Sequence, residues 1–161
     1  MDDGILACIG LGANLGNTAA TLGSALKELA DLPDTAVVAH SPTYRSAPMD
    51  AGGPDYLNAV ALLRTHLAPL VLLAELQRIE RAHGRERPHR NAPRTLDLDL
   101  LLYGDHCLST PELTLPHPRM HERAFVLRPL VDVLPAAEIP GKGPVRDWLL
   151  KVTDQRIEKL S

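Results

Sequence analysis

Aromatic residues and cysteines are scarce in this chain, and each scarcity narrows what the protein can be. Aromatics make up 3% of the 161 residues against 45% hydrophobic residues, so a single domain spanning residues 1–161 must build its core from aliphatic side chains. Cys8 and Cys107 lack the CxxC spacing of zinc sites, and Cys8 is expected to be a buried thiol. Signal-peptide patterns and runs of ~20 apolar residues are missing, so we expect a cytoplasmic protein with no membrane partner.

The charge of the chain is uneven. The net charge is −3, which argues against a general polyanion binder, and we expect no nucleic-acid partner. Six of the 13 arginines nevertheless fall between Arg78 and Arg94, which indicates a local anion site. A solvated loop or a nucleic-acid patch would explain the same cluster.

Hydrophobic periodicity predicts four strands and two main helices in the order β-α-β-β-α-β. The predicted strands are Ile5–Leu11, Thr35–Tyr44, Tyr56–Leu63 and Leu96–Tyr103. One helix carries Leu22 to Leu29 and ends before Pro33; the other begins near Pro69 and ends near Gly84. Helices are also predicted at Phe125–Val133 and Val145–Val152. The pattern favours an α+β, ferredoxin-like βαββαβ antiparallel sheet with two packing helices and a C-terminal extension.

The sharpest local pattern is the alternation in residues 96–100, Leu-Asp-Leu-Asp-Leu. Because strand side chains alternate faces, Asp97 and Asp99 share one face, roughly 7 Å apart. Two carboxylates with few other ligands suit Mg²⁺, which takes further oxygens from substrate phosphates. An ordinary half-buried strand with a solvated acidic face would show the same alternation.

A glycine-rich segment, residues 10–16, follows the first strand. Its GxGxxxG spacing departs from the GxGxxG of dinucleotide-binding folds, and no GK[ST] follows as in a Walker A loop. We interpret it as a structural turn that breaks the strand after Leu11, with Asn14 positioning a neighbouring loop. The alternative interpretation, an NAD-binding oxidoreductase, has this turn as its only support.

Several segments together carry a family resemblance. The most specific is residues 93–99, Pro-Arg-Thr-Leu-Asp-Leu-Asp; residues 11–16, 54–59, 77–80, 115–117 and 123–125 match in order and spacing. The chain resembles the 6-hydroxymethyl-7,8-dihydropterin pyrophosphokinases of folate biosynthesis. The resemblance implies transfer of a pyrophosphoryl group from ATP to the hydroxymethyl group of a reduced pterin, with release of AMP.

The resemblance also implies roles for individual residues. Asp97 and Asp99 would hold two Mg²⁺ ions and, with Arg85 and Arg94, form the catalytic set. The residues implied for ATP are Gln77, Arg87, Arg94, Thr114, His117 and Arg123. The residues implied for the pterin are Ser46, Ala47, Met49, Tyr56, Asn58 and Phe125, with Tyr56 and Phe125 stacking on its two faces. Loops 12–17, 46–54 and 85–93 would close over the substrates, and we expect a monomer.

Three positions depart from the family pattern. Asn91 and Ala92 stand where some relatives carry Trp and Gly, and Glu112 replaces a basic residue near the adenine or ribose. A non-enzymatic alternative is an RNA-binding module on the same fold. Such modules place exposed aromatics on the sheet, and this chain has few.

Overall fold

The computed structural model describes residues 4–14, 16–47, 54–83 and 96–160. Its strands are β1 (Ile5–Ala13), β2 (Thr35–His40), β3 (Tyr44–Ser46), β4 (Tyr56–Thr65), β5 (Asp97–Tyr103), β6 (Leu108–Ser109), β7 (Thr114–Leu115), β8 (Glu138–Ile139), β9 (Gly143–Pro144) and β10 (Ile157–Lys159). Its helices are α1 (Thr18–Ala30), α2 (Pro69–Ala82), α3 (Ala124–Val133) and α4 (Val145–Leu149), and a 3-10 turn covers Met120–Glu122.

The main sheet is antiparallel. Its strands lie in the order β10-β3-β4-β1-β5, and β2 also pairs with β4. Both neighbours of β1 run antiparallel to it. A dinucleotide-binding fold needs parallel strands around its glycine-rich turn, so this geometry removes the NAD-binding alternative. No helix in the described part of the chain has the length and apolarity needed to cross a bilayer.

Local sequence explains where the two long helices begin. The Asn17 side chain caps α1 by accepting a hydrogen bond from the Ala20 N–H at 3.1 Å. Pro69 stands in the first turn of α2, where its missing N–H costs nothing. These helices turn Leu22, Ala25 and Leu29, and Leu72, Leu76 and Ile79, towards the sheet.

Helices cover both faces of the sheet. One core lies between the sheet and helices α1 and α2, and a second lies between the opposite face and helices α3 and α4. The predicted mixed architecture, an antiparallel sheet with two long helices, is confirmed, and both of those helices lie on one face. Helix α3 (Ala124–Val133), which begins one residue before its predicted start, covers the other face together with α4.

Two strand predictions need correction. The strand predicted at Thr35–Tyr44 is divided into β2 and β3. The Ser41 backbone N–H still donates to the Val60 carbonyl oxygen at 2.8 Å, but the Val60 N–H bonds to the Ser41 hydroxyl at 3.0 Å, and Pro42 has no N–H to continue the pairing. Strand β1 continues to Ala13 and is not broken after Leu11. Pairing with strands on both sides outweighs the low strand preference of its glycines.

Several predicted features lie outside the described residues. They are the helix stop at Gly84, the residues Met49, Arg85, Arg87, Asn91, Ala92 and Arg94, and most of loops 46–54 and 85–93. Elsewhere, the helix predicted at Val145–Val152 is shorter, ending at Leu149.

Candidate active site

The sheet face towards α3 has an apolar half and a polar half, and the same strands build both. The apolar half contains Cys8, Val60, Leu62 and Leu102, which pack against α3 in the second core. Burial there raises the pKa of the Cys8 thiol to about 12, which confirms the predicted buried thiol. The polar half lies further along the same strands and contains Gly10, Gly12, Asn58, Asp97 and Asp99.

Glycines form the floor of the polar half. Gly12 pairs with Asn58 on one side and Asp97 on the other, and Gly10 pairs with Asp99. A Cβ atom at Gly12 would lie 3.4 Å from Asn58 Oδ1 and 3.9 Å from the Tyr56 ring. A side chain at Gly12 would therefore be in van der Waals contact with Asn58 and would take up space on the polar half beside Asp97, its partner on β5. A glycine inside a strand commonly marks such a close approach.

The acidic pair lies where alternation predicted it. Asp97 and Asp99 are half-buried on the polar half, while Leu98 and Leu100 are buried in the core of the opposite face. Both carboxylates are only half-buried, which an ordinary strand with a solvated acidic face would also show. Helix α2 fixes the strand between the two carboxylates: the buried Glu80 accepts the Leu98 N–H through Oε2 at 2.8 Å.

His117 is held beside Asp99 at the edge of β5. The backbone N–H of His117 donates to the Leu101 carbonyl oxygen at 2.9 Å, and the ring Nδ1 accepts the backbone N–H of Arg119 at 3.1 Å. Burial lowers the pKa of His117; Asp99 acts against this shift, whereas Arg123 and Arg119 add to it. Burial therefore favours the neutral ring, and because Nδ1 accepts, the proton of the neutral ring stands on Nε2 as a donor.

Arg123 and Phe125 stand where α3 begins. The Arg123 guanidinium carbon lies 5.6 Å from the centre of the Phe125 ring, within the range of a cation–π contact. Phe125 is half-buried against the second core. Arg123 and Phe125, the only phenylalanine of the chain, are thus in contact with each other, and Arg123 lies near His117.

Polar side chains continue across β4 and β3. Asn58 is buried and donates from Nδ2 to the Ser46 hydroxyl at 2.7 Å, which fixes the direction of its amide. Tyr44 pairs with Asn58 across the strands, and its hydroxyl donates to Asp132 on α3. This edge of the site is therefore tied both to the sheet and to the helix above it.

A cleft of about 210 Å³ opens beside the outer edge of β5. Its walls are partly apolar, from Leu73, Leu98, Leu100 and Leu113, and partly polar, from Asp99, Thr110, Glu112, Thr114 and His117. Asp99 and His117 thus border both the cleft and the polar half.

Comparison with known proteins decides the family. Residues 8–135 match the family described as 7,8-dihydro-6-hydroxymethylpterin-pyrophosphokinase. The chain belongs to this family. A 2-amino-4-hydroxy-6-hydroxymethyldihydropteridine pyrophosphokinase of Haemophilus influenzae is 42% identical over 158 residues, 98% of this chain and 99% of the relative. The protein of the same name from Pseudomonas aeruginosa is 44% identical over 153 residues, 94% of each chain.

Solved structures agree on the fold. The HPPK-DHPS of Plasmodium falciparum, solved with pteroate, superimposes with a TM-score of 0.75 at 13% sequence identity. The match covers 93% of this chain but 42% of that longer one. At this identity the likeness concerns the fold alone.

Within this pyrophosphokinase family fold, most of the predicted site residues fall together. The polar half contains Asn58, Asp97 and Asp99, and Ser46 and Tyr56 lie next to it. The cleft is lined by Asp99, Thr114 and His117. Beside His117, at the start of α3, lie Arg123 and Phe125. Gln77 is exposed on α2, one turn after Leu73, which lines the cleft. Ala47 is exposed just after β3. Met49, Arg85, Arg87 and Arg94 lie outside the described residues, and the roles of the whole set stay predictions.

Sequence reasoning missed three residues that shape the site. Gly12 was assigned to a turn, although a glycine next to a paired strand could have indicated a close approach. Glu80 falls at the core-facing spacing of Leu72, Leu76 and Ile79, and a charged residue on an apolar stripe is a recognisable signal. Gln155, which contacts the peptide groups beside Arg123, gave no sequence signal.

Proposed function

We propose that this chain transfers the β,γ-pyrophosphoryl group of ATP to the hydroxymethyl oxygen of 6-hydroxymethyl-7,8-dihydropterin in folate biosynthesis. The hydroxymethyl oxygen bonds to the β-phosphorus, and the bond between that phosphorus and the oxygen bridging it to the α-phosphorus breaks. AMP leaves with the bridging oxygen, and the hydroxyl proton is released. The observation that carries the proposal is identity over nearly the full length with relatives named as this pyrophosphokinase. The geometry of the polar half supports it.

The acidic pair fits Mg²⁺, and we propose that Asp97 and Asp99 hold two such ions. Both are hard oxygen donors on one face, and the glycines opposite them leave room. In the described ranges no group of three or more acidic, His or Cys side chains could hold a metal, so the remaining ligands would come from phosphate and water. When bound, Mg²⁺ neutralises the phosphate oxygens and so reduces the repulsion met by the attacking oxygen.

The proposed nucleotide side is the cleft beside β5. Its apolar wall suits the adenine base; Thr114 lines it, and Gln77 lies one helical turn after the lining residue Leu73. The Nε2–H of neutral His117 and the Arg123 guanidinium would donate to phosphate oxygens. The family resemblance assigns Arg85, Arg87 and Arg94 to the same phosphates, with Arg85 and Arg94 in the catalytic set.

The proposed pterin side is the edge formed by β3 and β4. Asn58, fixed by Ser46, would hydrogen-bond the rim of the pterin ring, with backbone groups near Ala47 and Met49. Tyr56 and Phe125 would stack on opposite faces, since flat heterocycles favour offset contact with aromatic rings. The hydroxymethyl group would then point towards Asp97 and Asp99.

The wider architecture supports two further assignments. The order β3-β4-β1-β5, with β2 also on β4, fits a ferredoxin-like sheet to which the C-terminal strand is added. We propose that residues 1–161 form one pyrophosphokinase domain. The monomeric state and the cytoplasmic location stay predictions from the sequence.

Product analysis tests the proposal. The protein is incubated with ATP, Mg²⁺ and 6-hydroxymethyl-7,8-dihydropterin, and nucleotides and pterins are separated by chromatography. We expect equal amounts of AMP and pterin diphosphate, and no AMP when the pterin is left out. Formation of ADP with a pterin monophosphate, or no pterin product, would contradict the proposed reaction.

A further inference from the structure

The side chain of Gln155 holds the two peptide groups that flank Arg123. Its Oε1 accepts the Ala124 N–H at 2.9 Å, and its Nε2 donates to the Glu122 carbonyl oxygen at 2.7 Å. These atoms lie immediately after and immediately before Arg123 in the chain. We propose that Gln155 is a positioning residue that sets the backbone from which Arg123 reaches the phosphates of ATP. This rests on the proposed function for the role of Arg123 itself.

The start of α3 explains why such support is needed. Arg123 is the N-cap residue of α3, with extended backbone angles φ −125° and ψ 109°. N-caps are usually Ser, Thr, Asp or Asn, whose oxygens accept the first helical N–H groups, whereas a guanidinium can only donate. A cation at the positive end of a helix is also unfavourable. An arginine at this position therefore violates the usual N-cap and charge preferences, and such violations are expected at functional sites.

Gln155 supplies what the N-cap residue cannot. By accepting the Ala124 N–H, it satisfies one of the donors that every helix start leaves unpaired. The Arg123 side chain takes no part in capping α3 and can turn towards an anion. The same anion would gain from the positive end of α3, so the cation and the helix end act on it together.

The tail that carries Gln155 also supports the opposite wall of the site. Two residues later, β10 pairs with β3 in the register Ile157 to Ser46, and the Leu160 N–H donates to the Thr43 carbonyl oxygen at 2.9 Å. Ser46 in turn fixes Asn58. Residues 155–160 therefore tie the backbone beside Arg123 to the strand on the pterin side.

The position of Phe125 depends on the same contacts. It lies one residue beyond Ala124, with the Arg123 guanidinium 5.6 Å from its ring centre. A shift of the Arg123 backbone would move a proposed phosphate ligand and a proposed pterin contact together. Misplacement of this kind weakens binding of the substrate, whereas a role in stability alone lowers only the folded fraction.

The test uses the full chain and three variants. Gln155→Met keeps the length of the side chain but removes both hydrogen bonds; Gln155→Glu keeps the acceptor for Ala124 and loses the donor for Glu122. Glu158→Ala is the matched control, because its surface pair with Arg45 (3.7 Å) lies on the same tail away from Arg123. The readouts are the dissociation constant of a non-hydrolysable ATP analogue with Mg²⁺, the KM for ATP, and amide hydrogen exchange at Ala124.

We expect Gln155→Met to raise the dissociation constant and the KM by roughly tenfold, from the loss of two hydrogen bonds, and to speed exchange at Ala124. The dissociation constant and the KM of Gln155→Glu should lie between those of Gln155→Met and the wild type. Glu158→Ala should match the wild type in all three readouts. If the wild type forms AMP but Gln155→Met binds nucleotide equally well, the positioning role is wrong and the proposed function stands. If the wild type binds no nucleotide, the proposed function is wrong and this inference falls with it.

Discussion

The apolar and polar halves of one sheet face show how this fold separates stability from chemistry. Strands β1, β4 and β5 build both halves. In one they carry Cys8, Leu62 and Leu102 under α3, and a few residues away they carry Gly12, Asn58 and Asp97. Burial of the apolar half stabilises the strands. The polar half can therefore contain half-buried charges and glycines, which would not stabilise the sheet by themselves.

The largest expected effect is at the acidic pair. Asp97→Asn or Asp99→Asn should lower the rate of AMP formation by about 10³-fold or more, because each removes a carboxylate that would hold Mg²⁺. For Asp99→Asn, the free energy of unfolding should stay the same or rise, since repulsion between neighbouring carboxylates is relieved. Steady-state assays and urea unfolding measure both. Near-normal rates in both variants would remove the metal assignment.

The matching change in the apolar half is Leu127→Ala. Leu127 is completely buried on α3, so the substitution should lower the free energy of unfolding by about 2–5 kcal/mol. Under conditions where the variant is folded, kcat per folded molecule should stay close to the wild-type value. A large loss of kcat in fully folded protein would show that the two halves are not separable.

A smaller effect is expected at the glycine floor. Gly12→Ala should raise the KM for the pterin or for ATP by about tenfold, because the added carbon contacts Asn58 and takes up space on the polar half. Gly23→Ala is the control: Gly23 lies in α1 with open space around it, and its substitution should stabilise the protein by about 0.5–1 kcal/mol without changing KM. Equal KM values for the two variants would contradict the role of Gly12.

The smallest effect concerns the hydroxyl that fixes Asn58. Ser46→Ala removes the acceptor of the Asn58 amide, 2.7 Å away, and should raise the KM for the pterin by about fivefold while leaving that for ATP unchanged. Ser24→Ala on α1, whose hydroxyl donates to Glu28 at the surface, should change neither KM. An equal rise in both KM values would place Ser46 outside the pterin side.

The sequence predicted the features that depend on short-range periodicity. Alternation along β5 correctly placed Asp97 and Asp99 on one face, and the antiparallel sheet with its two long helices followed from hydrophobic spacing. The face of the sheet that α3 covers could not be predicted, because an amphipathic helix does not specify its partner.

Long-range pairing accounts for the other errors. The division of the second strand depends on Ser41 bonding to Val60 on β4, nineteen residues away. Strand β10 has three residues, too few for a recognisable alternation, and its register with β3 is set by tertiary packing. The contact of Gln155 with the backbone beside Arg123 spans more than thirty residues, so composition and spacing gave no sign of it.

Calorimetric titration of a non-hydrolysable ATP analogue, with and without Mg²⁺, tests most directly whether the acidic pair assembles the nucleotide site. For the wild type, we predict that Mg²⁺ tightens binding strongly, and that Asp97→Asn and Asp99→Asn each lose most of this gain. Equal nucleotide affinity with and without Mg²⁺ in the wild type, or an unchanged gain in both variants, would contradict the account.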